Sequence, residues 1–222
     1  MVARLTISTG GQDVETGFRY RDALRLLFIL QMGARAPDPS EAPPGVIGIF
    51  EGEKRLMAID FWVRYPDYLA DQLLNLYEKS KDAGLLSEIQ MIFDRDEPDV
   101  RTIKVLRWRY GAFDRIEDAL AILSARNLVK PMKKSIPTGI QHDFLIYERA
   151  AGFLRDAVQE QPTIKWYEDR TRLALSVAGD KSGSALKDMQ YEVPEYDGTQ
   201  WSAEIPSIKD RVLRRLKDLT GA

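Results

Sequence analysis

Side chains able to do chemistry are few. His142 is the single histidine and there is no cysteine, so a thiolate nucleophile, a disulfide framework and a zinc-thiolate site are excluded. An imidazole acting as general base needs a positioned nucleophile, and none is visible around His142. The run 94–99, DRDEPD, holds four carboxylates in six positions. Such a donor set suits a hard cation such as magnesium, although a run made of charge is more often a solvated turn. Walker-type, G-x-G-x-x-G, G-x-S-x-G and H-E-x-x-H signatures are absent. Gly10 and Gly11 form a lone pair read as loop. The expectation is a protein that is not an enzyme and holds no metal or cofactor, although carboxylates assembled from distant positions would leave no trace in sequence.

Positive charge is the more informative feature. Residues 101–134 contain nine Lys or Arg against three acids, a net of +6, whereas the whole chain is -2. Any contact with nucleic acid must therefore be local rather than a property of the whole surface. Arg107, Arg109, Arg115, Arg126, Lys130, Lys133 and Lys134 are the residues placed to meet DNA phosphates or an acidic partner. Sequence-specific reading looks poor, because the polar positions of the helix between Arg115 and Arg126 are Glu117, Asp118 and Ser124, and two of these repel phosphate.

The elements that must position these residues follow from periodicity. Asp114 and Glu117 have capping-box spacing, and Ile116, Leu120 and Leu123 recur on one helical face. Asn127 stops that helix, an extended run starts at Leu128, and a second spans 140–147 after a turn at 137–139. Helix, strand, turn, strand is the order of a winged helix. The predicted class is mainly α with a small β wing. Upstream, a short strand is expected over 5–8, a core helix over 19–32, a proline-rich connector over 36–45, a strand over 45–50, and helices over 52–65 and 66–80, the last opened by Pro66. Residues 85–93 fit either a helix or a strand.

Downstream, helices over 148–161 and 163–178 are expected to pack on the wing, and residues 188–198 look too polar for regular structure. A terminal amphipathic helix over 206–219 shows the stripe Ile208, Val212, Leu216 and Leu219. Trp62, Tyr65, Tyr68, Trp108, Tyr110 and Phe113, with Arg214 and Arg215 of the last helix, are candidates for a protein interface; core is the default for each aromatic. The parts divide as 1–100, helical; 101–147, winged helix; and 148–222, helical, packed as one or two units.

The 222 residues, 44% hydrophobic and 30% charged, suit a globular protein with a sizeable core. No signal-like apolar segment opens the chain, and no stretch approaches the roughly 20 apolar residues of a membrane span. With the lack of cysteine, this suggests a cytoplasmic protein without membrane contact.

Two segments resemble a known family. Residues 55–69, RLMAIDFWVRYPDYL, are similar to a helical pattern of the middle component of bacterial three-component ABC/SMC-like ATPase systems, the group that includes the small subunit of Lamassu-type defence. Residues 109–129, RYGAFDRIEDALAILSARNLV, resemble a later segment of such proteins, with Ala112 where a Gly-Pro-aromatic form would have proline. Together they cover 36 of 222 residues, and their motifs are structural. The resemblance implies a non-catalytic accessory subunit in anti-plasmid and anti-phage defence. It would bridge an SMC-like coiled-coil ATPase and an effector nuclease and assist engagement of double-stranded DNA. The second segment also resembles winged helices of transcription regulators, which gives the alternative of a free-standing DNA-binding regulator.

Overall fold

The computed structural model describes residues 10–38, 40, 42–97, 106–108, 111–113, 116–137 and 139–221. Its centre is helix α1 (Gly10–Met32), whose Ala23, Leu26, Leu27, Phe28, Ile29 and Leu30 are buried. A helix apolar around most of its circumference must be covered on most sides. Accordingly, α1 is packed by α2 (Glu53–Arg64), α5 (Glu117–Ala125), α6 (Glu148–Glu160) and α7 (Lys165–Ala178). The helix starts nine residues before the expected 19, so Gly10 and Gly11 lie in its first turn and not in a loop. Residues 12–18 contain no proline, and a helix already nucleated on the core extends by one hydrogen bond per added residue. The expected strand at 5–8 lies outside the described residues.

Strand β1 (Val46–Phe50) follows the proline-rich connector, then α2 and α3 (Pro66–Ser80), which turn a corner at Tyr65. Residues 85–93 resolve as part of helix α4 (Ala83–Asp94), capped by Asp82, whose carboxylate accepts from Gly84 N–H. A two-stranded ribbon, β2 (Leu106–Trp108) and β3 (Gly111–Phe113), was not foreseen in sequence. Helix α5 opens at Glu117 with Ile116 at its cap position, which is not the box expected from Asp114; that residue lies outside the described part. Asn127 ends the helix in the left-handed region, φ 53°, a conformation its short polar side chain tolerates better than most.

Strands β4 (Val129–Ile136) and β5 (Gly139–Tyr147) then form a hairpin, and β1 joins from far upstream to give an antiparallel sheet of order β1-β5-β4. The molecule is thus mainly helical with one small three-stranded antiparallel sheet. Its edge strand β4 contains Pro131, which a central strand would reject for want of an N–H. Val129, Phe144, Ile146 and Phe50 share the buried face.

Helix α6 returns along β5 and α1, but α7 packs on α1, α2 and α3 rather than on the hairpin. Residues 188–198, expected to be irregular, contain the end of α8 (Gly183–Tyr191) and the short α9 (Pro194–Asp197). Leu186, Val193 and Tyr196 anchor them in the core despite the polar intervening residues. Helix α10 (Lys209–Thr220) closes the fold over α3. One continuous cluster of buried side chains runs from Ala23 to Leu216, drawing on all three sequence parts.

Buried ions tie the layers together. Arg25 Nε on α1 donates to Asp60 on α2 at 2.5 Å, and Nη1 donates to Asp22 at 2.6 Å. Burial alone would lower its pKa, but the two carboxylates outweigh that and raise it above the ordinary value, so Arg25 remains charged. Arg170 on α7 grips Glu97 through two hydrogen bonds, one of 2.6 Å, with both side chains at most 4% exposed. The 94–99 run is therefore not merely a solvated turn, since Glu97 is an internal counter-ion. Asp67, fully buried at the start of α3, accepts from Ser207 Oγ at 2.6 Å and Ile208 N–H at 2.8 Å.

A candidate basic contact surface on the hairpin

Of the described basic residues within 101–134, those that remain outside lie on the hairpin and at the end of α5. Strand alternation sends Lys130 and Lys134 to one face of β4 and Lys133 to the other; all three are exposed, Lys133 and Lys134 opposite the part of β5 before its buried stretch and Lys130 on the edge strand opposite Leu145. None forms an ion pair with the described residues. Arg126, also exposed, lies over the Tyr20 ring at 5.6 Å from its centroid. Beside it, Arg149 and Phe153 of α6 line a groove of about 540 Å³ together with Asn127, Leu128 and Asp156. The row of lysines also serves the sheet itself, since charged edge strands resist pairing with other chains.

The outward side of α5 has a different chemistry. Its exposed positions are Glu117, Asp118, Ala121 and Ala125, and Asp118 is 3.7 Å from Arg19. Two acids and two methyl groups offer no bidentate donors to base edges. The hairpin can meet phosphates or carboxylates, while the helix beside it contributes nothing that would read a sequence.

The other expected site residues divide sharply. Arg107 is 8% exposed and donates to the main-chain carbonyls of Asp197 and Thr199, its guanidinium lying 5.2 Å from the centroid of the Tyr191 ring. It is a structural clamp and not a surface contact. Trp62, Tyr65 and Tyr68 are at most 1% exposed; Phe61 stacks on Tyr65 at 4.8 Å and meets Tyr68 edge-on at 5.1 Å. As folded, they are core and offer nothing to a partner. Arg215 is engaged by Asp71, Asn75 and Glu78, which fixes α10 on α3, whereas Arg214 is exposed. Arg109, Tyr110 and Arg115 lie outside the described residues, and Trp108 and Phe113 belong to β2 and β3.

His142 sits where the hairpin meets the start of α2, with Nδ1 3.0 Å from Glu53 Oε2. The two share a cleft of about 260 Å³ with Arg55, Ile140, Ser182 and Ser184. An imidazole beside a carboxylate is half of a general-base arrangement. Two of the other polar groups are committed to the fold: Arg55 donates to the carbonyls of Gly179 and Lys181, and Ser182 Oγ caps α8 by accepting from Ala185 N–H. Burial lowers the Arg55 pKa against the raising effect of Asp180 and Glu51. This is a joint between α2, α8 and the hairpin. Neither it nor the Glu97–Arg170 pair had a sequence signal, since the partners are remote along the chain.

Among the described residues, no group of three or more His, Cys, Asp or Glu could hold a metal ion, and no helix is long and apolar enough to cross a membrane. In comparisons with known proteins, no family model, curated protein or solved structure matches the chain.

Proposed function

We propose that the chain is a non-catalytic accessory subunit of an SMC-like ATPase complex acting in defence against plasmids and phages. It bridges the ATPase and an effector nuclease, and its winged-helix part, α5 with β4, β5 and β1, lends a sequence-independent grip on DNA or on an acidic protein surface. The observation that carries this reading is the exposed row Lys130, Lys133 and Lys134, without partners among the described residues, beside a helix face of acids and alanines. Support for backbone contact without base reading favours an accessory role over a regulator that must select one operator.

The test is affinity purification of the tagged chain expressed from its native operon, with mass spectrometry of what co-elutes at moderate salt. A coiled-coil ATPase in stoichiometric amount supports the reading. Recovery without any ATPase, together with tight binding to a single operator, sinks it in favour of the free-standing winged-helix regulator. Turnover of a nucleotide or nucleic acid by the purified chain would sink both.

A further inference from the structure

The groove between the end of α5 and helix α6 brings exposed aromatic rings together with charge of both signs. Arg126 and Asn127 line one wall, and Arg149, Gly152, Phe153 and Asp156 line the other. Tyr147 N–H donates to the Leu128 carbonyl at 3.1 Å, which sets the start of α6 beside the end of α5. The volume of about 540 Å³ falls within the roughly 300–1,000 Å³ of small-ligand sites.

The wall from α6 is ordered along one helical face. Arg149, Phe153 and Asp156 follow one another at helical spacing, so they share a side. A rise of 1.5 Å per residue puts the Arg149 and Asp156 positions about 10 Å apart along the axis. All three are exposed, Phe153 at 44%. Arg126, Arg149 and Asp156 form no ion pair with the described residues. Arg126 lies over the ring of Tyr20, itself 49% exposed, a contact that holds the guanidinium flat and leaves its N–H groups available to an anion.

Gly152 is the least expected residue of this wall. A glycine inside a helix weakens it relative to alanine. A Cβ added at Gly152 would meet nothing closer than Arg155 Nη2 at 3.8 Å, so no packing contact in the fold demands the glycine. What its missing side chain preserves is the space of the groove between Arg149 and Asp156.

We infer that this groove seats a guanine nucleotide, either free or at the end of a single strand. Arg149 and Arg126 donate to the phosphate, the base lies against the Phe153 ring, and the Asp156 carboxylate accepts from the base edge. Guanidinium groups suit phosphate as bidentate donors. A carboxylate only accepts hydrogen bonds, and guanine is the base that offers two adjacent donors, N1–H and the exocyclic amine, to match its two oxygens. A purely anionic occupant, such as an acidic peptide, satisfies the arginines but is repelled by Asp156. A purely apolar one leaves all three charges unused. The site makes no use of Lys130, Lys133 or Lys134, so it is independent of the DNA grip proposed for the hairpin.

The test is isothermal titration of the purified full-length chain with guanosine monophosphate (GMP), AMP and inorganic phosphate. GMP should bind saturably, at least about tenfold more tightly than AMP or phosphate, the discrimination of one good bidentate base contact. Phe153→Ala should weaken GMP binding about tenfold or more, the loss typical of a base stacked on an aromatic ring. Asp156→Asn should remove the preference for GMP over AMP. Gly152→Leu fills the groove with a good helix former, so GMP binding should be lost while the thermal transition does not fall. Phe153 and Asp156 are exposed, so their variants decide the matter even where the added leucine disturbs α6. The inference is overturned if GMP does not bind, if AMP or phosphate binds as tightly, if the preference survives Asp156→Asn, or if a folded Gly152→Leu chain binds GMP undiminished. A single-stranded oligothymidylate with one terminal guanylate separates the two sources. Tighter binding than GMP assigns the site to strand ends, and equal or weaker binding assigns it to the free nucleotide.

Discussion

The helical layer and the hairpin use charge in opposite ways. Within the layer, Arg25, Arg107 and Arg170 are each nearly buried and held by carboxylates or main-chain carbonyls. On the hairpin, Lys130, Lys133 and Lys134 are exposed and form no ion pair with the described residues. An unpaired charge in the interior is so costly that burial compels pairing, whereas a charge left in water is free to meet a partner. Position in the fold, not residue type, separates a cross-link from a contact surface.

The largest effect should come from breaking an interior pair. Arg170→Met strands Glu97 and is expected to lower stability by about 3–5 kcal/mol in chemical denaturation. The further change Glu97→Gln should recover a large part of that loss, because the stranded charge is then gone. A single variant as stable as the parent would mean that the layer tolerates unpaired charge, and the contrast with the hairpin would lose its basis.

That contrast also explains what could be read from sequence. Short-range signals were sufficient for α2, α3, α10 and the β4–β5 hairpin, where Pro66, Asn127 and the stripe of Ile208, Val212 and Leu216 mark ends or faces. Lys133 and Lys134 were legible because their exposure follows from lying toward the far end of a hairpin, and Lys130 because it lies on the edge strand. Arg107 was counted with them, since a basic residue in a basic stretch looks the same whether buried or exposed. Its partners at 197 and 199 lie some ninety residues on, beyond the reach of periodicity. Trp62, Tyr65 and Tyr68 were ambiguous for the same reason, as an aromatic suits a core and an interface equally. The turn from α2 into α3 and the arrival of Tyr196 decide the matter, and neither lies in the local pattern.

A second prediction concerns the joint between the two regions. A Cβ added at Gly183 would lie 2.6 Å from Arg55 N and 2.9 Å from the Lys54 carbonyl carbon, both main-chain atoms with little freedom to move. Gly183→Ala should cost about 1–3 kcal/mol as the start of α8 is pushed from α2. Measured by thermal melting, an unchanged transition would show that the joint is looser than its packing suggests. A smaller effect is expected at the helix stop before the hairpin. Asn127 has φ 53°, so Asn127→Ala should cost about 1 kcal/mol, while Asn127→Gly should be neutral or slightly stabilising.

The smallest effect on stability, and the sharpest test of the comparison, belongs to the hairpin itself. Lys133→Glu with Lys134→Glu disturbs nothing buried and should change stability by no more than about 0.5 kcal/mol. If these lysines meet phosphate, the same change should weaken binding to duplex DNA uniformly across sequences and flatten the dependence of log affinity on log salt by about 2, one unit for each phosphate no longer neutralised. A fall in stability comparable to that of Arg170→Met would mean that the lysines are structural after all. A salt slope that does not change would move phosphate binding off the β4 edge, leaving the lysines to an acidic protein surface, where assembly rather than DNA affinity would respond.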